Sequence, residues 1–134
     1  ALERLMTIDE FIQFRDKVGD GEGIPYPIDE NGHADIPAGT MYIKEEAFLN
    51  CSKLISVTIP DSVREIRSLA FGGCKSLASV EISSSGSLLI RNRAFAGCTS
   101  LIDVVFKNKP LKVIAKNAFE GCPCEEEVKK LPML

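Results

Sequence analysis

Apolar residues recur along this chain at a nearly fixed period. The dipeptide Ala-Phe stands at Ala47-Phe48, Ala70-Phe71, Ala94-Phe95 and Ala118-Phe119, in steps of 23, 24 and 24 residues. Cys51, Cys74, Cys98 and Cys122 each follow a Phe by three residues, and Leu54, Leu77 and Leu101 follow three further on. Next come Val57, Val80 and Val104, and two later Ile59, Ile82 and Phe106. Five residues before each Phe lies Ile43, Ile66, Ile90 or Ile114. One such unit cannot bury its apolar side alone; stacked units share a continuous core, so the pattern predicts a solenoid.

Within a unit, the period-two pair Val80-x-Ile82 after Leu77 predicts a short strand with Val and Ile turned inward. Arg67–Gly73, with Ala-Phe before a Gly pair, predicts a short helical or 3₁₀ turn that drives Phe71 into the stack. Pro60 follows the strand, where it begins a turn and cannot extend a ladder.

The motif Pro60-Asp61-Ser62-Val63, Ile66, Ala70-Phe71, Cys74, Leu77 and Val80-x-Ile82 resembles the BspA-like leucine-rich repeat family, over residues 36–122. The resemblance implies an α/β repeat solenoid: a right-handed coil of short parallel strands and helical or 3₁₀ turns. It also implies a secreted or cell-surface bacterial protein that adheres to host or extracellular matrix proteins, to other bacteria or to surface glycans. Two departures stand out. Ser83 and Lys107 occupy the place of Pro60, and the asparagine ladder of leucine-rich repeats in general has no counterpart.

The ends read differently from the repeats. Residues 7–18 predict an N-terminal capping helix: Thr7 and Glu10 fit a capping box, and Ile8, Phe11, Ile12, Phe14 and Val18 form one apolar face. Residues 24–35 predict a loop or weak hairpin turning at Asn31-Gly32, with Pro25 and Pro27 arguing against a central strand. Glu125 and Lys130 stand where earlier repeats have Leu101 and Phe106. Cys124, Val128 and Leu131 lie at helical spacing, and Glu125–Lys129 and Glu126–Lys130 are i,i+4 pairs. Residues 124–131 therefore predict a short closing helix, the alternative being an array that continues with further repeats. The chain is thus one domain: cap and loop over 1–35, repeats at 36–58, 59–81, 82–105 and 106–122 onward, and a C-terminal cap over 123–134.

Composition narrows the function. Hydrophobic residues make up 45% of the 134, enough for a packed core. With 16 basic and 19 acidic residues, the net charge of −3 is spread without a basic stripe, which argues against nucleic acid and anionic membrane. No apolar run approaches the ~18 residues of a membrane span. The chain opens Ala1-Leu2-Glu3-Arg4, as a mature form or an excised piece would.

Candidate chemistry is sparse. The cysteine ladder has no local Cys-x-x-Cys pair, and coils about 4.8 Å apart hold side chains in parallel, so the thiols read as free and buried. Cys124, nearest the end, reads as the most reactive. The Phe48–Phe71–Phe95–Phe119 row reads as a core spine. His33, the single histidine, lies near Asp29, Glu30 and Asp35. These carboxylates do not have the spacing of a metal site, and no nucleophile motif accompanies them, so no metal, cofactor or catalytic residue is assigned. The strand positions that alternate outward form the rows Ser56–Ser79–Asp103 and Thr58–Glu81–Val105, which are the candidate partner-binding residues. The competing site is the 24–35 loop around His33, as a carbohydrate- or metal-dependent module. A third reading is a spacer within a larger surface protein.

Overall fold

The computed structural model describes residues 26–108 and 110–130. Its coils alternate between two parallel sheets. The front sheet contains β1 (His33–Asp35), β3 (Ser56–Ile59), β5 (Ser79–Ile82) and β7 (Asp103–Phe106), in that order. The back sheet contains β2 (Tyr42–Ile43), β4 (Glu65–Ile66), β6 (Ser87–Ile90) and β8 (Leu111–Ile114). Every pairing joins one coil to the next, as β3 to β5 through Val57↔Val80 and Ile59↔Ile82.

The core fills the space between the sheets. Ile43, Leu54, Val57, Ile59, Ile66, Leu77, Val80, Ile82 and Ile90 are each at most 1% exposed, as the repeat pattern predicts. The phenylalanines stack face to face through the stack, with centroids 5.0, 4.9 and 4.8 Å apart from Phe48 to Phe119. Tyr26 extends this column beyond Phe48 at 5.8 Å. Val104, Phe106 and Ile114 in the last coil are only partly buried.

Two expectations need correction. The described fold is a parallel β-solenoid rather than α/β: its single helix is α1 (Glu125–Lys129), and the Ala-Phe segments are turns. The reason lies in where the backbone N–H groups go. Phe48, Phe71 and Phe95 donate to Ala70, Ala94 and Ala118 of the next coil at 2.7–2.8 Å, so these N–H groups are not free for an i−4 carbonyl. The back sheet is the second correction, since the sequence reading placed Ile66 and its equivalents inward without assigning them a strand. The 24–35 segment also gains a strand, β1, at the edge of the front sheet. The capping helix read over 7–18 lies outside the described residues.

At the other end, α1 buries Val128, and Lys129 reaches Glu125 at 3.4 Å as expected. Lys130 pairs with Glu127 at 3.8 Å, in place of the expected Glu126. Among the described residues, no helix is long and apolar enough to cross a membrane.

Candidate interaction face

Strand register builds the outer front face. Ser56, Ser79 and Asp103 are successive partners, as are Thr58, Glu81 and Val105. All six predicted residues therefore share one surface. β1 lengthens both rows, because His33 pairs with Ser56 and Asp35 with Thr58. The loop around His33, read from sequence as a rival site, is the first strand of the same face. Asp103 and Val105 are exposed, while Ser56, Thr58, Ser79 and Glu81 are half-buried by neighbouring coils.

Charge is held in place beside these rows at Asp29 and within them at Glu81. The Asp29 carboxylate accepts the backbone N–H of Asn31 at 2.8 Å and of His33 at 3.0 Å. These bonds, the His33 one first, hold its pKa below the usual carboxylate range. Glu81 meets Lys107 at 3.0 Å. Asp103 has no side-chain partner among the described residues.

His33 joins the two rows. Its Nδ1 lies 2.6 Å from Ser56 Oγ, and its Nε2 lies 3.1 Å from Asp35 Oδ1 and 3.2 Å from Thr58 Oγ1. A hydroxyl, an imidazole and a carboxylate in line can move a proton away from Ser56. Acyl transfer also needs donors aimed at a developing oxyanion. Here the backbone N–H groups of Ile55 and Ser56 donate to Gly32 O, at 2.7 and 3.2 Å. These two N–H groups are therefore committed to Gly32, and the His33 bridge orders the face. Both ring nitrogens of His33 are engaged, and among the described residues no three His, Cys, Asp or Glu side chains are grouped to hold a metal ion.

A row that the sequence reading did not pick out borders this surface. Ile55 N donates to Gly32 O at 2.7 Å, Ala78 N to Ile55 O at 2.8 Å and Ile102 N to Ala78 O at 3.1 Å. Ile55 is 47% and Ile102 67% exposed. The signal available in sequence was the repeat offset: both isoleucines follow the buried leucine of their coil by one residue.

The back face is charged but largely self-neutralised. Glu65 sits between Arg67 Nε at 2.8 Å and Arg91 Nε at 2.5 Å. The guanidinium of Arg67 also lies 3.8 Å from the centroid of the Tyr42 ring. Arg67 first, then Arg91, holds the Glu65 carboxyl below its ordinary range.

The five cysteines are buried thiols rather than disulfides. Cys74, Cys98 and Cys122 donate to the carbonyls of Phe48, Phe71 and Phe95 at 2.9–3.0 Å. Cys98 is pushed far up, by thiol hydrogen bonds with Cys122 and Cys74 and then by burial. Cys124, expected to be the most reactive thiol, is 3% exposed, and its hydrogen bond with Cys122, followed by burial, pushes its pKa up. Cys122 moves down, because Cys124 and then Cys98 hydrogen-bond to it.

Stacked coils with outward residues aligned in rows define a repeat protein of the parallel β-solenoid class. The chain belongs to the BspA type leucine rich repeat family, whose model matches residues 31–130 with six copies. Such repeat regions are protein-interaction or structural modules not known as enzymes, and they are typically surface-associated. Searches among curated proteins and among solved structures found no match.

Proposed function

We propose that the chain is a non-catalytic protein-interaction module that presents its outer front face to a macromolecular partner, as an adhesive part of a secreted or cell-surface protein. Residues 31–130, the span that the family model matches, supply the repeats. One observation carries this reading: the register aligns His33–Ser56–Ser79–Asp103 and Asp35–Thr58–Glu81–Val105 across all the front strands. Recognition is by polar and shape complementarity across stacked strands. A protein partner fits better than a glycan, since these rows contain no Trp, Tyr or Phe ring for a sugar to stack on.

The test is capture from extracellular matrix, mucus and serum on wild type beside the variant Ser56→Arg/Ser79→Arg/Asp103→Arg. Captured proteins are then purified and titrated against both forms. A partner bound by the wild type and lost by the variant, with an unchanged thermal midpoint, supports the face. A partner that binds both forms equally moves the site elsewhere and ends this reading.

A further inference from the structure

The chemistry of the partner follows from what borders the polar rows. Ile55, Ala78 and Ile102 form one backbone-bonded row, and the next residue of each coil is Ser56, Ser79 or Asp103. The apolar row and the hydroxyl–carboxylate row therefore run side by side. Ala78, half-buried and short, separates two exposed isoleucines. Two coil spacings place those isoleucines roughly 9–10 Å apart along the row. Ile55 also owes its position to its neighbour: a Cβ on Gly32 would come within 2.7 Å of Ile55 Cδ1, so the bare glycine lets this side chain lie across it.

The charge beside this row is mainly negative. Asp103 adjoins Ile102 and has no side-chain partner among the described residues. Beside Ile55 a groove of about 540 Å³ is lined by Asp29 and Glu30 together with Lys53. Glu81 already pairs with Lys107, and Asp35 is hydrogen-bonded to His33 Nε2. An occupant that covers the isoleucines thus brings its flanking residues against the Asp103 carboxylate, which favours a cation and disfavours an acid.

We propose that the front face binds a segment of another protein that lays one aliphatic or aromatic side chain on Ile55–Ala78–Ile102 and sets an Arg or Lys against Asp103. This rests on the interaction reading above and specifies its partner. The apolar contact supplies most of the affinity, and the cation supplies orientation and salt dependence.

The test uses phage-displayed random heptapeptides selected on the full chain. Enriched sequences are made as fluorescein-labelled peptides and titrated by fluorescence polarisation. The proposal expects enriched peptides to pair a large apolar residue with a nearby Arg or Lys. It further expects Ile102→Ser and Asp103→Asn each to weaken binding about tenfold or more. Both positions are exposed, and a thermal melt on each variant confirms that the fold is kept. Peptides that bind both single variants like wild type but lose the triple arginine variant overturn the apolar–cation assignment and leave the face intact. Peptides that also bind the triple variant overturn both readings. Enrichment of acidic sequences, or of none, overturns the assigned partner chemistry while the capture experiment still judges the face. Concentration-dependent self-association lost in Ile102→Ser would make a second copy the occupant and overturn the proposal.

Discussion

His33 and Ser56 are register partners on neighbouring parallel strands, and the imidazole Nδ1 lies 2.6 Å from the Ser56 hydroxyl. Across the ring, Nε2 lies 3.1 Å from the Asp35 carboxylate. An ionised carboxylate only accepts, so in neutral His33 the proton sits on Nε2. Nδ1 must then accept from Ser56 O–H, which fixes the serine rotor and the first rung of the polar row.

This predicts one dominant tautomer. The nitrogen shifts of His33, measured at a pH where the ring is neutral, should show protonated Nε2 and bare Nδ1. Asp35→Asn weakens the preference and should move both shifts toward a tautomer average. A wild-type average would show that the bridge does not persist in solution.

Phe71 is sandwiched between Phe48 and Phe95 at 5.0 and 4.9 Å and is fully buried. Removing it leaves a gap inside a column that neighbouring coils cannot close without breaking their ladders. Phe71→Ala should cost about 3–5 kcal/mol in denaturant unfolding. A loss below about 1 kcal/mol would mean that the spine carries little of the packing.

The spine and inward rows were legible in the sequence because they repeat: a position that recurs every coil must face the shared core. The back sheet was not, because β2 and β4 have two residues and one inward side chain each, and where β6 alternates Leu88 and Ile90 inward, β8 has Lys112 in the first of those places. β1 was hidden for another reason. His-Ala-Asp has weak intrinsic strand preference, and its pairing comes from Ser56–Thr58, a full coil away. Arg67–Gly73 turns through i→i+3 bonds, Ala70 N to Arg67 O and Gly72 N to Leu69 O, and does not extend into a helix for a non-local reason as well, the Phe71 N–H being bonded to Ala94 of the next coil. Strand alternation located all six outward candidates, yet alternation counted back from Val57 turns Ile55 inward, and the corner before β3 turns it out.

Glu65 predicts an acid-side loss of stability. Its pKa is depressed in the folded state by Arg67 and then Arg91, so the stabilisation is fully present above the ordinary glutamate value of 4.5. It is lost as pH falls through the lower folded value, where the carboxyl protonates and releases both guanidiniums. In urea titrations, wild type should exceed Glu65→Gln near neutral pH, and the gap should narrow as pH drops below 4.5. A pH-independent gap would assign the effect to packing instead.

The thiol row predicts an order of labelling. Cys98 is disfavoured as thiolate by both neighbouring thiols and by burial, whereas Cys122 is favoured by those that flank it. Thiolate is the reacting form. With an aromatic disulfide reagent under native conditions, mass mapping should find Cys122 modified before Cys124 and before Cys98. Modification of Cys124 first would show that access at this end outweighs the hydrogen bonding.

Lys112 supplies the last test, because a charged side chain takes the place that Leu88 fills in the preceding coil. Its register partner in the preceding coil is Leu88, which is 1% exposed, and Lys112 itself is only 8% exposed. The ammonium is held by Pro110 O at 3.3 Å and lies 5.1 Å from the Phe106 ring centroid, with no carboxylate paired to it among the described residues. A carbonyl and a ring face recover only part of the hydration that a buried ammonium gives up. Lys112→Leu repeats the Leu88 side chain, keeps the packing over Phe106 and removes that desolvation, so it should raise stability by about 1–2 kcal/mol. Lys112→Ala removes the charge and the packing together and serves as the control for volume. If Leu destabilises as much as Ala does, the ammonium itself anchors the last coil, and the gain expected from desolvation is refuted.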